Sequence, residues 1–178
     1  MLRASRESGR GFMLLSRCDS TLRGHYPLET EVLRRELEAA GLAVDGEVLC
    51  PFFKEGGRFT LGGVHYVLQG RELIPAAETE FAADKTFGYR SSYLPDYIEE
   101  KTLGASPASE VLLIPIEQLR ALDYDGIAEK LCSVRGFGKV CVDAVDYCDV
   151  KVFSVALYRA AARGRRFLFR TAASLVKA

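Results

Sequence analysis

Short apolar runs of strand length alternate along the chain with segments of helical periodicity. The apolar runs predict five strands, which are Phe12 to Arg17, Glu47 to Pro51, Glu110 to Pro115, Lys139 to Asp143 and Phe167 to Arg170. Helical spacing predicts helices over Pro27 to Ala40, Asp125 to Ser133 and Asp149 to Arg163. Apolar strands separated by helices are typical of a parallel sheet that is covered on both faces. We therefore expect a three-layer α/β/α domain with a mostly parallel sheet.

The middle of the chain departs from this alternation. The pattern at Val64 to Leu68 predicts a β-hairpin insertion that runs from Arg58 to Ile74, with Gln69-Gly70 as its turn. Short helices are expected near Ala76 to Ala83 and Leu94 to Lys101. The insertion is expected to lie beside the main sheet.

The length of 178 residues fits a single α/β domain over residues 1–178, and the composition is that of an ordinary globular protein. No apolar run is long enough to cross a bilayer, and Met1 to Gly11 lacks the apolar core of a signal peptide, so we expect a cytoplasmic protein without a membrane partner. The 24 basic residues balance the 24 acidic ones, which argues against nucleic acid as the main partner. The five cysteines are never spaced as C-x-x-C, so neither a zinc site nor a disulfide framework is predicted.

A run of polar residues, Asp19-Ser20-Thr21-Leu22-Arg23-Gly24-His25, follows the first predicted strand. Open α/β sheets bind ligands at the carboxyl ends of their strands, so a ligand is expected here. Asp19 and Ser20 can hydrogen-bond to a polyol, Arg23 can hold a carboxylate or phosphate, and Gly24 lets the backbone approach closely. The alternative is that Asp19 or Ser20 caps a turn and Arg23 pairs with a surface acid.

Two further segments are expected at the same edge of the sheet. Gly56-Gly57-Arg58 and Gly62-Gly63-Val64-His65 either offer backbone N–H groups and a cation to an anion or form the turns of an exposed hairpin. His65 is either a structural histidine or a base. Asp143 and Asp146 follow a buried strand, and we interpret this pair as helix-capping rather than ligand-binding.

Familiar nucleotide and hydrolase motifs do not occur in the chain. There is no G-x-x-x-x-G-K-[ST], H-E-x-x-H or G-x-S-x-G sequence, and Gly9-Arg10-Gly11 lacks the third glycine of a dinucleotide fingerprint. The residues alone therefore predict no nucleotide site.

The segment from Arg17 to His25 resembles the Lys-x-Asp-Ser-Thr-Leu-Arg-Gly-Asn/His signature of the four-carbon acid sugar kinases. Later segments resemble that family in the same order and cover almost the whole chain; they are Gly57 to Thr60, Gly63 to Val67, Glu78 to Asp84, Val142 to Ala144 and Phe169 to Ser174. The resemblance implies a substrate-binding N-terminal domain for a short acid sugar such as a threonate, erythronate or 2-oxo-tetronate. It implies substrate contacts from nine residues, namely Arg17, Asp19, Ser20, Thr21, Arg23, Gly24, Arg58, Gly63 and His65.

In that family Mg-ATP is supplied by a separate C-terminal domain, so we expect no cofactor in this chain and no kinase activity from it alone. The family's Asp-Asp-x-Thr-Gly-Ala first strand and its nucleotide-binding domain have no counterpart here, and Arg17 stands at the usual lysine position. A sheet without that first strand would expose an apolar edge, which predicts self-association or docking with a separate ATP-binding domain.

Two other functions remain open from the sequence. One is a non-catalytic sensor module that binds acid sugars, and the other is an interaction or effector-like protein that keeps only the fold. The sequence does not identify the catalytic base, for which Asp19 is a candidate on chemical grounds.

Overall fold

The computed structural model describes the whole chain, residues 1–178, and builds it around two sheets. Eight strands follow one another along the chain: β1 (Leu14–Arg17), β2 (Gly46–Cys50), β3 (Arg58–Leu61), β4 (Val64–Gln69), β5 (Glu72–Pro75), β6 (Leu112–Ile114), β7 (Gly138–Val142) and β8 (Phe167–Thr171). Five of them form a sheet in the order β1-β8-β2-β7-β6, and every pairing in it is parallel. The five predicted sheet strands are thus confirmed, with ends that differ by a few residues.

Seven α-helices accompany the strands. They are α1 (Leu2–Ser8), α2 (Leu28–Ala39), α3 (Leu94–Lys101), α4 (Ile116–Arg120), α5 (Tyr124–Ser133), α6 (Tyr147–Ala162) and α7 (Ala173–Lys177). The sequence pattern predicted α2, α3, α5 and α6. It did not predict α1, α4 and α7, because helices of five to seven residues are too short to show a convincing period. None of the helices is both long enough and apolar enough to span a membrane.

The five-stranded sheet is covered on both faces, as the alternation of its side chains requires. Val48 and Val140 point to one face, where they pack in the core that contains residues of α4 to α7. Leu49 and Cys141 point to the other face and pack against residues of α3, while Leu168 packs against a residue of α2. Successive strand residues point to opposite faces, so apolar runs without polar gaps bury both faces of the sheet. The three-layer α/β/α architecture is confirmed.

The insertion is a three-stranded meander rather than a hairpin with one turn. β4 pairs with β3 and β5, and both pairings are antiparallel. The first turn lies at Gly62 and Gly63, which link paired Leu61 and Val64 with φ angles of 59° and 75°. This is the hairpin-turn alternative that the sequence left open for these glycines. Two central residues with positive φ make the tight turn that suits a two-residue β-connection, and glycine adopts that conformation without steric cost. The meander contacts the segment that follows β7 through an isolated bridge between Thr60 and Ala144.

Two acidic side chains after β7 cap the start of α6. The carboxylate of Asp146 is the N-cap of α6 and accepts a hydrogen bond from the backbone N–H of Cys148. Asp149 completes a capping box by accepting from the backbone N–H of Asp146 at 2.8 Å. The interpretation of Asp146 as a helix cap is confirmed.

One edge of the main sheet is formed by β1. Its neighbour is β8 alone, so the outward-facing peptide groups of Leu14–Arg17 have no partner strand. Met13 and Leu15 are 37% and 36% exposed at this edge. An unpaired, partly apolar edge strand is a surface that other chains can pair with.

Candidate functional site

The polar run after the first strand forms a loop at the carboxyl end of β1, between β1 and α2. Within it the Asp19 carboxylate accepts hydrogen bonds from the Thr21 backbone N–H at 3.0 Å, the Thr21 hydroxyl at 2.7 Å and Arg23 Nε at 2.7 Å. Partial burial opposes ionisation, but these hydrogen bonds hold the pKa of Asp19 below its usual value. Asp19 is therefore an anion at neutral pH, and its own loop already engages it.

Four consecutive carbonyl groups of this loop are held by side chains from distant parts of the chain. Ser20 accepts from His65 Nε2 at 2.8 Å, and Thr21 accepts from the Tyr89 hydroxyl at 2.8 Å. Leu22 accepts from the Tyr97 hydroxyl at 2.7 Å, and Arg23 accepts from Arg170 Nη2 at 3.0 Å. The donors lie on β4, on the segment before α3, on α3 and on β8, and all four residues are buried. The loop is thus fixed to the domain at each of its central peptide groups.

His65 is fully buried, and both of its ring nitrogens are engaged within the protein. A carbonyl oxygen can only accept, so Nε2 carries the proton that is donated to Ser20, and Nδ1 accepts from the Thr60 hydroxyl at 3.0 Å. Burial lowers the pKa of His65 to about 4. A neutral imidazole with no free nitrogen positions the loop, which is the structural alternative that the sequence left open.

Two arginines meet at one aromatic ring beside the loop. The guanidinium carbons of Arg23 and Arg58 lie 5.1 Å and 5.3 Å from the centroid of the Phe81 ring. Arg23 Nη1 also lies 3.7 Å from a carboxylate oxygen of Asp84. Arg58 donates through Nη1 to the carbonyl of Gly56, while its Nε is buried and has no hydrogen-bond partner. Arg58 therefore places a cation beside the loop that has no acid partner and one buried donor without a hydrogen bond.

The turn between β3 and β4 is held in place by Asp143 at the end of β7. Its carboxylate accepts from the backbone N–H groups of Gly62, Gly63 and Ile116 at 2.8, 2.9 and 3.1 Å. Burial outweighs these hydrogen bonds and raises the pKa of Asp143. A Cβ on Gly63 would lie 2.6 Å from the Tyr93 ring, so glycine is required there for packing as well as for its φ of 75°. Asp143 thus ties the meander that carries Arg58 and His65 to the end of β7.

The structure brings most of the predicted site residues together, places Arg17 at the exposed end of β1 and places Gly63 in the turn that Asp143 holds. The loop gathers Asp19, Thr21, Arg23 and Gly24, with His65 beneath it and Arg58 sharing the Phe81 ring. Arg17 is exposed at the end of β1 and forms no ion pair, and the Ser20 hydroxyl makes no hydrogen bond within the protein. Contact of any of these residues with a ligand stays a prediction.

Sequence reasoning missed the residues that hold the loop from below, Tyr89, Tyr97 and Arg170. No local pattern singles out a buried tyrosine as the donor to a carbonyl 68 or 75 positions away. Arg170 and Asp84 lay only within segments of family resemblance. An arginine among the apolar residues of a predicted buried strand was the one available signal, because a buried charge needs partners.

A separate cleft is lined by residues outside this loop. It has a volume of about 710 Å³ and lies between α2 and the segments after α3 and α5, with Arg34, Arg35, Thr102, Ser106 and Phe137 among its lining residues. Phe137 precedes the amino end of β7, so this cleft is on the side of the sheet where open α/β domains do not usually bind ligands.

Comparison with known proteins gives a family and a fold. A family model described as "Sugar-binding N-terminal domain" matches residues 1–178. A solved structure of a Haemophilus influenzae protein of the family DUF1537 is 19% identical with a TM-score of 0.66, and the match covers 97% of this chain and 38% of that one. A DUF1537 domain of unknown function from Bordetella bronchiseptica is 26% identical with a TM-score of 0.65, and the match covers 98% of this chain and 37% of that one.

The Bordetella structure contains bound citrate and is a domain-swapped dimer. The chain spans well under half the length of either of these solved structures. No curated protein matches its sequence.

Proposed function

Because the chain belongs to the family of sugar-binding N-terminal domains, we propose that it binds a small acid sugar at the carboxyl end of β1. The proposed ligands are four-carbon acids such as threonate, erythronate and 2-oxo-tetronate. The observation that carries the proposal is the meeting of Arg58 with the loop of Asp19, Thr21 and Arg23 around Phe81. Guanidinium groups bind carboxylates, and acid and hydroxyl side chains bind sugar hydroxyls.

The citrate in the Bordetella relative supports a ligand of this chemistry. Citrate, threonate and erythronate share a carboxylate attached to a carbon that bears a hydroxyl group. A site that binds this pair of groups needs a cationic or N–H donor for the first and an acceptor for the second. The loop at Asp19 and the neighbouring Arg58 offer both kinds of group.

For the longer protein to which such a domain belongs, we propose the transfer of a phosphoryl group from Mg-ATP to a hydroxyl of the bound sugar acid. The chain contains no glycine-rich phosphate loop with a following lysine, which is the motif that most often indicates a nucleotide site. Mg-ATP would therefore be bound by a separate domain, and this chain would orient the acceptor. Phosphoryl transfer depends mainly on positioning and on charge neutralisation, so a domain that only holds the acceptor still contributes to the rate.

The alternative is a sensor that binds the acid sugar without any transfer. A thermal-shift screen of four-carbon sugar acids with and without Mg-ATP distinguishes the two. Stabilisation by the sugar acid in the absence of nucleotide is expected in both cases, whereas phosphorylated product after addition of a separate ATP-binding domain supports only the kinase. No shift with any of the sugar acids would contradict the binding proposal.

Replacing Arg58 with methionine is expected to weaken L-threonate binding about 10- to 100-fold. The expectation follows from the loss of one charge-assisted interaction, which contributes about 1.5–3 kcal/mol. Isothermal titration calorimetry measures the effect. Arg71→Met is the matched control, since Arg71 is exposed beside the turn between β4 and β5 and forms no ion pair. If the Arg58 variant bound L-threonate as tightly as the wild type, Arg58 would not contact the ligand.

We also propose that the exposed edge of β1 mediates self-association. Unpaired peptide groups of Leu14–Arg17 and the exposed side chains of Met13 and Leu15 favour pairing with the same strand of a second copy. Light scattering after size-exclusion chromatography is expected to show a mass above that of a monomer that rises with concentration. A constant monomer mass at high concentration would contradict this proposal.

A further inference from the structure

The loop after β1 has two chemically different sides, and the carbonyl side faces the protein interior. Ser20, Thr21, Leu22 and Arg23 each place their carbonyl oxygen on a buried donor, which is His65, Tyr89, Tyr97 or Arg170 in turn. Leu22 is itself only 2% exposed, although it adopts a φ of 67°, which is uncommon for a residue with a branched side chain. Carbonyl oxygens repel anions, so turning four of them inwards removes that repulsion from the outer side of the loop.

The amide side of the same loop is not used by the protein. The backbone N–H groups of Arg23 and Gly24 donate to no acceptor in the structure, whereas that of Thr21 is taken by Asp19. Leu22 and Gly24 have φ angles of 67° and 119°, and Arg23 between them has a negative φ. Backbone in which φ alternates in sign can turn successive N–H groups towards one point, and such a concave nest binds anions.

The side chains around the loop offer little unpaired positive charge to a carboxylate, so backbone N–H donors are needed. Arg23 is paired with Asp19 at 2.7 Å and approached by Asp84 at 3.7 Å, so its positive charge is largely offset. Asp84 stays ionised because the N–H groups of Phe87 and Thr86 lower its pKa. Arg58 is then the only cation of the cluster without an acid partner. A carboxylate placed beside Asp19 and Asp84 requires further donors, and the free amides supply them.

We infer that the backbone N–H groups of Arg23 and Gly24 bind one carboxylate of the ligand, with Arg58 alongside. His65, Tyr89, Tyr97 and Arg170 are positioning residues, which act by holding the carbonyl groups away from that carboxylate. Glycine is favoured at position 24 by its φ of 119°, which residues with a side chain rarely adopt. The inference rests on the proposed binding of a sugar acid and adds which atoms take the acid group.

The direct test is a ¹H–¹⁵N correlation spectrum of the whole chain titrated with L-threonate, with neutral threitol and with inorganic phosphate. We expect the amide protons of Arg23 and Gly24 to move downfield with threonate and to stay in place with threitol, which has no carboxylate. If phosphate at the same concentration also shifted these amide protons, the two N–H groups would bind anions in general, which includes the carboxylate of threonate.

The outcomes separate this inference from the proposed function. Threonate binding that shifts other signals of the site but leaves the Arg23 and Gly24 amides unchanged overturns the nest and leaves the proposed function intact. An absence of any saturable shift with threonate overturns both.

Tyr97→Phe tests the positioning role, because it removes the donor to the Leu22 carbonyl and keeps the aromatic ring. We expect threonate affinity to fall about fivefold, as the loss of one neutral hydrogen bond predicts. Tyr66→Phe is the matched control, since the Tyr66 hydroxyl has no partner in the protein. A lower melting temperature with unchanged affinity would show a purely structural role and contradict the positioning role.

Discussion

Replacement of Lys139 by methionine is expected to lower the free energy of unfolding by about 3–5 kcal/mol, because it leaves a buried carboxylate without its cation. Lys139 Nζ lies 2.6 Å from Glu47 Oε2, and the two side chains are 6% and 0% exposed. The residues face each other across β2 and β7. The Tyr26 hydroxyl donates to the same Glu47 oxygen at 3.4 Å, and the other Glu47 oxygen has no partner. In the variant the buried Glu47 carboxylate keeps only the weak hydrogen bond from Tyr26. Urea unfolding at pH 7 measures the loss.

Two controls show whether the loss comes from the unpaired charge. The double variant Glu47→Met/Lys139→Met removes both charges and is expected to recover most of the lost stability, since apolar pairs of similar volume replace buried ion pairs well. Arg159→Met breaks the exposed pair with Asp125 and is expected to cost no more than about 1 kcal/mol. A Lys139 variant as stable as the wild type, or a double variant as unstable as the single one, would contradict this account of the sheet.

Acidification is expected to destabilise the protein through His65 by about 3 kcal/mol between pH 6.5 and pH 4. The pKa of His65 is lowered to about 4 in the folded protein, while an unfolded histidine titrates near its ordinary value of 6.5. Between these two pKa values His65 is protonated in the unfolded chain but not in the folded one. The free energy of unfolding therefore falls as the pH decreases, and His65 makes no pH-dependent contribution above pH 7. Urea unfolding as a function of pH measures the slope.

His65→Gln is the variant that isolates this contribution. Its side-chain amide can still donate to the Ser20 carbonyl, but it does not titrate, so the slope between pH 6.5 and pH 4 should become shallower. His25→Gln is the control, because His25 is exposed and lies in the same loop. If the pH dependence of the free energy of unfolding disappeared in the His25 variant and persisted in the His65 variant, it would contradict a buried, neutral His65.

The alternation of strands and helices made the main sheet predictable. Each strand needs apolar side chains on both faces, and this requirement is visible as runs such as Val48 with Leu49 and Val140 with Cys141. The order of the strands and the third strand of the meander were not predicted. The order of the strands depends on pairings between residues far apart in the chain, for which a single sequence carries no periodic signal. The third strand of the meander depends on the turn at Gly62-Gly63, which the sequence left as one of two alternatives and which pairs near neighbours such as Leu61 and Val64.

The location of the candidate site could be predicted from the sequence, but the function of each of its residues could not. The polar run at Asp19 could be located because it follows a buried strand. The chemistry of Asp19 and Arg23 indicated a polyol and an anion, and the resemblance to the four-carbon acid sugar kinases indicated an acid sugar. The division of the loop into a carbonyl side and an amide side could not be predicted. It depends on Tyr89 and Tyr97, which look like ordinary core residues in the sequence, and on the left-handed φ of Leu22.

We propose that the carboxyl end of β1 binds the carboxylate of a small acid sugar, and a crystal structure of the chain with L-threonate would show this contact. We expect density for threonate beside Phe81, with its carboxylate within hydrogen-bonding distance of the Arg23 and Gly24 amides and Arg58, and with its hydroxyl groups towards Asp19 and Thr21. Threonate bound in the cleft between α2 and the segment after α3, with the loop at Asp19 empty at saturating ligand, would contradict it.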